Sequence, residues 1–230
     1  MYNAHWMSKN SCAAFAVLLS LVLLVPASEA QFKVTDNFNR PDGAPGLGWS
    51  AYGNGAQISG NQLETFGQIN VGGGIQRTLD VTFPLSFSFD FSTNADPSDG
   101  GWLIGFNAAT TASPLGTSNT TEVALVQYAG SREVCTAFQT TSGTSFQCFG
   151  PVSGQRNFTA KAHISGTVNS DFSAKVTLKY NDGLTPATVT IKTTAPVGAL
   201  QNPMGSVFFF GNSNASYGPH FFDNFSLTLK

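Results

Sequence analysis

The fold of this chain is decided by one stretch of eleven residues, Val81-Thr82-Phe83-Pro84-Leu85-Ser86-Phe87-Ser88-Phe89-Asp90-Phe91. Apolar and polar residues alternate through it, which is the period of a β-strand that buries one face. Pro84 indicates that the beginning of this strand is irregular or lies at an edge, because proline cannot donate to a sheet ladder. The same alternation recurs in four later segments, which are 158–164, 172–180, 187–191 and 224–230.

The segments between these runs carry polar turn signals. Asn181-Asp182-Gly183 is typical of a hairpin turn, and the ranges 94–101, 107–121 and 211–219 predict longer loops. Val207 to Phe210 is continuously apolar, as expected of a strand covered on both faces. The chain after the first 30 residues shows no helical periodicity. We therefore predict an all-β domain, a two-sheet antiparallel jelly-roll sandwich.

Residues 1–30 predict a secretory signal peptide. Lys9 precedes the apolar stretch Ala13 to Val25, and Ser28-Glu29-Ala30 supplies small residues for a cleavage site. The apolar stretch is shorter than the ~20 residues that a membrane-spanning helix needs, although an uncleaved anchor is the alternative. We expect one domain over 31–230, secreted or periplasmic, with no membrane span once the signal is removed.

The composition excludes some classes of partner. Charged residues make up 10% of the 230 residues, and the formal net charge is -2. An average soluble domain has about 25% charged residues. No basic patch is visible along the sequence, so nucleic acids and acidic membranes are poor candidate partners.

The cysteines predict one disulfide. Cys12 leaves with the signal peptide, and Cys135 and Cys148 remain as an even pair on either side of a turn-like segment. In an exported chain such a pair favours a disulfide that ties two neighbouring strands. Two free thiols or a metal site are the alternatives, and the second is weak because few histidines are present.

One tripeptide occurs near both ends of the predicted domain, as Asp36-Asn37-Phe38 and as Asp223-Asn224-Phe225. In a closed antiparallel sandwich the first and last strands can lie side by side. The repeat would then bring two carboxylates together, and Ca²⁺ prefers such oxygen ligands. The alternative is that both aspartates cap turns or accept backbone hydrogen bonds.

The ends of the chain resemble a known superfamily. The segments 36–43 (DNFNRPDG), 46–49 (GLGW) and 58–63 (ISGNQL) resemble the opening of secreted concanavalin A-like lectin/glucanase domains, including laminin-G-like modules. The segment 221–227 (FFDNFSL) resembles their closing strand. The resemblance implies a jelly roll of two curved sheets that often holds carbohydrate on its concave face. It also implies a structural Ca²⁺ at Asp223, because related glycosidases commonly use an aspartate of the closing strand for this ion.

A second cation site is suggested more weakly. Asp90, Asn94 and Asp99 have a spacing similar to that of the Ca²⁺ ligands in legume lectins. Ser88 stands where those lectins have an acidic residue, and the histidine expected before the next strand is absent. The three residues are also ordinary loop formers.

The catalytic motif of the related glucanases, Glu-x-Asp-x-x-Glu on one strand, is absent. Glycoside hydrolysis normally needs two carboxyl groups roughly 5 to 10 Å apart. The predicted domain has only three glutamates, Glu64, Glu122 and Glu133, and the last two lie on runs that could form a hairpin. A catalytic pair of Glu122 and Glu133 therefore stays open, but an enzyme is the less favoured interpretation.

Candidate ligand residues are aromatic side chains beside planar polar ones, because sugars stack on rings and bond to amides and guanidinium groups. These candidates are Trp102, Gln127, Tyr128, Arg132 and Tyr217. For Trp102 a core position is the alternative, because it alternates with Ile104 and Phe106. His163 falls on the polar side of its strand, which predicts a solvated histidine.

Three functions follow from these observations. The leading hypothesis is a secreted, non-catalytic module that binds a polysaccharide, another glycan or a surface. The second is a polysaccharide-cleaving glycoside hydrolase with an unrecognised carboxylate pair. The third is an extracellular structural or adhesive scaffold, since a fold alone does not determine function. Nothing in the sequence predicts the oligomeric state.

Overall fold

The computed structural model of the chain shows only strands as regular structure in the part it describes. No helix in that part is long and apolar enough to cross a membrane. The described residues are 31–53, 55–66, 73–79, 82–93, 101–107, 122–127, 133–140, 143–150, 161–171, 173–181, 185–192, 207–212 and 219–230.

The strands are numbered in chain order. Their bounds are β1 Phe32–Asp36, β2 Ser50–Gly53, β3 Ala56–Ser59, β4 Gln62–Thr65, β5 Gly73–Thr78, β6 Leu85–Thr93, β7 Trp102–Asn107, β8 Glu122–Gln127, β9 Val134–Thr140, β10 Gly143–Phe149, β11 Ala162–Val168, β12 Ala174–Tyr180, β13 Ala187–Ile191, β14 Val207–Asn212 and β15 His220–Leu229.

The strands form two antiparallel sheets. Sheet A has the order β13-β12-β11-β6-β15-β4-β3, and sheet B has the order β10-β9-β8-β7-β14-β5-β2. The closing strand β15 pairs with β6 along one edge and with β4 and then β1 along the other. The predicted all-β sandwich and the predicted contact between the first and last strands are therefore both confirmed.

The core between the sheets is aromatic, as the alternation in β6 predicts. Leu85, Phe87, Phe89 and Phe91 are all buried, whereas the serines between them lie on the other face of sheet A. The ring of Phe89 packs edge-on against Trp102 at 5.5 Å and against Phe210 at 4.9 Å between centroids. These contacts join sheet A to sheet B, and aromatic pairs of this kind stabilise a core beyond the area that they bury.

A bulge interrupts the closing strand. Its buried side chains are His220 and Phe222 before the interruption, but Phe225, Leu227 and Leu229 after it. The pairing with β6 shifts between Asp223 and Ser226, and Asn224 has a positive φ of 51°. Asparagine tolerates this left-handed backbone better than most residues. The extra residue leaves Asp223 and Asn224 together on the outer face of sheet A.

The opening loop is fixed by the buried carboxylate of Asp36. Its Oδ1 accepts hydrogen bonds from the Phe38 amide at 2.7 Å and from Arg40 Nη1 at 2.7 Å. Its Oδ2 accepts from Arg40 Nη2 at 3.1 Å and from Trp49 Nε1 at 3.0 Å. The indole of Trp49 in turn packs edge-on against Phe225 of β15, with ring centroids 5.7 Å apart.

The predicted disulfide is present between Cys135 and Cys148, with an S–S distance of 2.00 Å. The two cysteines are directly opposite each other on β9 and β10. The bond therefore ties neighbouring strands at the edge of sheet B, as expected.

Replacing Asp36 by asparagine is expected to lower the free energy of unfolding by about 2–3 kcal/mol, because the charge of Arg40 then loses its carboxylate partner. The loss stays below that of a fully buried ion pair, since the Arg40 side chain is 17% exposed. Urea unfolding followed by tryptophan fluorescence measures it.

Asp171→Asn is the matched control. This aspartate is exposed and accepts hydrogen bonds from the amide and hydroxyl of Ser173, which an asparagine oxygen can also accept. Equal losses of stability in the two variants would contradict the role assigned to Asp36.

Candidate functional site

The two Asp-Asn-Phe motifs meet at one depression on the outer face of sheet A, with a volume of about 440 Å³. We call it the motif depression. Strands β1 and β15 supply most of its wall, and the loop that leads into β2 supplies one apolar residue. Its lining residues are Lys33, Thr35, Asp36, Asn37, Leu47, Asn224, Phe225 and Ser226.

Internal hydrogen bonds hold the two exposed asparagine amides of the motif depression. The Asn224 side chain donates from Nδ2 to Asp90 Oδ2 at 2.9 Å. The Asn37 side chain accepts the Asn39 amide at its Oδ1, at 3.2 Å. Asn224 therefore keeps its carbonyl oxygen for a ligand and Asn37 keeps its NH₂ group. One acceptor and one donor in the same depression suit a molecule with neighbouring hydroxyl groups.

Leu47 is an unusual apolar residue beside these amides. It is 73% exposed, the highest exposure of a large hydrophobic side chain among the described residues. Its φ is 52°, and the flanking Gly46 and Gly48 also have positive φ. A left-handed backbone costs a residue with a branched side chain roughly 1–2 kcal/mol. Strain together with exposure at a depression is a feature of ligand sites.

The expectation that the repeated motif brings two carboxylates together is wrong. Asp36 lies opposite the buried Phe225, so its side chain is on the core side of the sheet. The bulge turns Asp223 to the outer face instead. Asp36 already holds Arg40, Trp49 and the Phe38 amide, so it is corrected from a metal ligand to a structural residue.

The described residues contain no group of three or more histidines, cysteines or acidic residues placed to hold a metal ion. One Asp223 oxygen accepts the following amide, that of Asn224, at 2.7 Å. A structural Ca²⁺ at Asp223 stays a prediction. The second cation site suggested by sequence depends on Asn94 and Asp99, which lie outside the described residues.

Asp90 is the centre of a polar cluster next to the motif depression. It lies opposite Asp223 on β15 and opposite His163 on β11. Its carboxylate accepts from His163 Nδ1 at 2.8 Å and from Asn224 Nδ2 at 2.9 Å, and Lys161 Nζ is 3.4 Å away. His163 is half exposed, as its place on the polar side of β11 predicts.

The surroundings of Asp90 favour its charged form. Burial by itself raises the pKa, but the hydrogen bonds from Asn224 and His163 and the positive charge of Lys161 outweigh it. The pKa of Asp90 therefore lies below its ordinary value of 3.8. A carboxylate of this kind orients neighbouring groups and does not supply the proton of a general acid, which needs a raised pKa.

Of the predicted ligand residues, Trp102 is placed differently. Its side chain is fully buried in the core, where it packs against Phe89. The prediction that sugars stack on Trp102 is therefore wrong, and the alternative, a core position, is confirmed. Gln127 ends β8 in register with Val134. Tyr128, Arg132 and Tyr217 lie outside the described residues.

The glutamates do not form a catalytic pair. Glu122 pairs in register with Gln139, whereas Glu133 immediately precedes Val134, which pairs with Gln127. Six strand residues therefore separate the two positions, a distance of about 20 Å. That is well beyond the roughly 5 to 10 Å that glycoside hydrolysis requires.

The outer face of sheet B offers less open surface where it is described. Tyr52, Gly74, Gly211 and Leu103 lie in register across four strands of this face. The side chains of Tyr52 and Leu103 are buried. A Cβ atom on Gly74 would lie 2.7 Å from the Gly211 Cα and 2.8 Å from the Tyr52 hydroxyl, so only glycine fits beneath this tyrosine.

Comparison with solved structures identifies the architecture. Lectin II from Ulex europaeus superposes with a TM-score of 0.59 at 16% identity, covering 88% of this chain and 99% of that one. Arcelin-5, a lectin-like defence protein from Phaseolus vulgaris, gives 0.54 at 14% identity, with 87% and 98% covered. A GH43 protein from Bacillus licheniformis gives 0.55 at 12% identity, with 85% of this chain matching 39% of that one.

The chain has the concanavalin A-like lectin/glucanase fold. This confirms the fold that the resemblance at the chain ends implies. At these identities the similarity establishes the fold alone. No protein-family model matches the sequence, and a search of curated proteins finds no relative.

The fold places residues at the candidate site that the sequence pattern did not single out. Asn37, Leu47 and Asn224 line the motif depression, whereas the sequence pattern pointed to aromatic residues and carboxylates. The repeated asparagine was visible in both motifs. The Gly-Leu-Gly context was the only signal for an exposed Leu47.

Asp90 is expected to make stability depend on pH. Its folded pKa is lowered, so its contribution is complete above the ordinary value of 3.8 and is lost as the pH falls through the folded value. The melting temperature of Asp90→Asn should therefore lie below that of the native protein at about pH 6, and the gap should shrink towards about pH 2.5. A gap that widens on acidification would contradict the assigned interactions.

Proposed function

We propose that the protein is a secreted, non-catalytic carbohydrate-binding module that holds a glycan at the motif depression. The observation that carries the proposal is the combination of two fixed amides and an exposed, strained leucine around one depression. The same fold in the Ulex lectin and in the lectin-like arcelin-5 supports the class of function, and the lectin UEA-II has been solved in complex with galactose.

The chemistry of the motif depression suits a sugar. A sugar ring has an apolar C–H face, which Leu47 can contact, and hydroxyl groups, which the Asn37 NH₂ and the Asn224 oxygen can bind. Thr35 and Ser226 add hydroxyl groups to the same wall. Because internal hydrogen bonds hold both amides, binding loses less side-chain entropy than it would with mobile groups.

Binding without catalysis is favoured over hydrolysis. The Glu122 and Glu133 positions are too far apart along the sheet, as described above. Asp90 and Asp223 are opposite each other, but one Asp90 oxygen accepts from His163 Nδ1 and the other accepts from Asn224 Nδ2 and lies beside Lys161, so neither oxygen is free to attack a sugar. The two alternatives can be told apart by experiment. A hydrolase would release reducing sugar from a polysaccharide. A scaffold would neither bind glycans nor release sugar from them.

Secretion is part of the proposal. The disulfide between Cys135 and Cys148 supports it, because such bonds persist in oxidising compartments. The segment 1–30 has the pattern of a signal peptide. The structural Ca²⁺ predicted at Asp223 belongs to the same proposal, and a chelator that lowers the melting temperature would support it.

Leu47→Asn is expected to separate binding from stability. Asparagine relieves the left-handed strain, so stability should be unchanged or higher by up to about 1 kcal/mol. Glycan affinity should fall by at least about tenfold, because the apolar platform is lost. A glycan array with residues 31–230 identifies the ligand, and calorimetry measures the variant.

Asn37→Ala should weaken the same ligand, whereas Glu122→Gln and Glu133→Gln serve as controls that keep full affinity. If Leu47→Asn and Asn37→Ala both kept the native affinity, the glycan would not bind at the motif depression. Glutamine variants that abolish release of reducing sugar would favour the hydrolase instead.

A further inference from the structure

The lysines of the domain are confined to one sheet. All six lysines after residue 30 lie in a strand of sheet A or directly beside one, although the net charge of the chain is -2. They are Lys33 in β1, Lys161 before β11, Lys175 and Lys179 in β12, Lys192 after β13 and Lys230 after β15. No basic patch is visible in the sequence because these residues are far apart along the chain.

Four of these lysines share one exposed surface, which we call the lysine face. It consists of the outward positions of β11, β12 and β13 and of the residues directly flanking these strands. Its members are Lys161, His163, Ser165, Thr167, Lys175, Thr177, Lys179, Thr188, Thr190 and Lys192.

The positive charge of the lysine face is only partly balanced. Asp90 pairs with Lys161 and also accepts a hydrogen bond from His163. Among the described residues no carboxylate lies within ion-pair distance of Lys175, Lys179 or Lys192. Exposed lysines contribute little to folding. A lysine at a sheet edge can prevent pairing with another chain, which accounts for Lys192 beside the edge strand β13. This reason does not apply to Lys175 and Lys179, because β12 is an inner strand.

Rows of hydroxyl groups connect the lysine face to the motif depression. One row crosses six strands in register and contains only threonine and serine: Thr188, Thr177, Ser165, Ser88, Ser226 and Thr35. With neighbouring strands about 4.8 Å apart, the row is about 24 Å long. Hydroxyl groups both donate and accept, so such a row can bind another hydroxyl-rich chain.

Two depressions lie along β11 and β12 on this face, and each has lysine at its wall. The first, about 310 Å³, is lined by Lys161, His163 and Lys179 among others. The second, about 380 Å³, is lined by Lys175 together with hydroxyl residues such as Thr167. Since His163 is opposite Lys179 and Thr167 is opposite Lys175, the depressions follow one strand pair, about 13 Å apart.

The chemistry of the lysine face argues against two other polyanions. Single-stranded nucleic acids bind mainly by stacking their bases on aromatic or arginine side chains. The outward positions of β11–β13 have no phenylalanine, tyrosine, tryptophan or arginine, and their one imidazole, His163, is held by Asp90. Binding to an acidic membrane usually adds apolar side chains that enter the lipid, and these positions have none either. Lysine among hydroxyl groups instead matches a chain that alternates acidic groups with sugar hydroxyls.

We propose that the lysine face binds an anionic polysaccharide, with uronate or sulfate groups at Lys175, Lys179 and Lys192 and sugar hydroxyls along the serine and threonine rows. This inference rests on the proposed carbohydrate binding and adds the acidic class of the ligand. The shared row places the lysine face and the motif depression on one continuous surface, long enough for several sugar units.

Two matched pairs of polymers test the charge. They are polygalacturonate against its fully methyl-esterified form, and dextran sulfate against dextran. The native protein should bind at least one acidic polymer about tenfold more tightly than its neutral partner, and less tightly as salt increases. The triple variant Lys175→Gln, Lys179→Gln, Lys192→Gln should lose this preference, whereas Lys230→Gln, outside the lysine face, should keep it.

The outcomes separate this inference from the proposed function. If neutral glycans bind and the triple variant binds the acidic polymers as well as the native protein does, the lysine face is overturned and carbohydrate binding stands. If no polysaccharide on a broad array binds, both are overturned. If a single-stranded oligonucleotide binds as tightly as the acidic polymers and the triple variant loses both, the face binds polyanions in general and the assignment to glycans is overturned.

Discussion

The bulge in the closing strand determines what sheet A presents to its surroundings. Before the bulge, His220 and Phe222 enter the core, and after it Phe225, Leu227 and Leu229 do so. Without the extra residue, one of these two sets would face water, because a shift of one residue turns every side chain of a strand to the other face. The same extra residue brings Asn224 to the surface, where its amide reaches Asp90.

Much of the fold was predictable because one physical rule dominated. The alternation in β6 predicts a strand with one buried face, and the burial of Phe87, Phe89 and Phe91 follows it. The disulfide was predictable from the cysteine count. The bulge was not, because the alternating run begins at Asn224, and two successive polar residues, Asp223 and Asn224, are as typical of a loop before a strand as of a bulge within one. The pairing with β6 reveals the extra residue.

The sequence predicted where the candidate site lies but not which side chains form it. The repeated motif correctly pointed to contact between β1 and β15. It was interpreted through its aspartates, although Asp36 has a stronger local use in holding Arg40 and Trp49. Trp102 was proposed as a ligand residue because its loop context is polar, but its position in β7 faces the aromatic core. Surface groupings such as the lysine face depend on long-range strand pairing, which local patterns do not contain.

The central place of β15 also has a consequence for how the chain folds. Residues 220–229 pair with β1, β4 and β6. Among the described strands, β1 therefore has no partner until the closing strand joins it, and β4 and β6 have only β3 and β11. Sheets dominated by such distant pairings fold slowly, because long loops must close before the contacts form. A nascent or truncated chain without this strand exposes unpaired strand edges, which makes it prone to aggregation until its final ten strand residues are available.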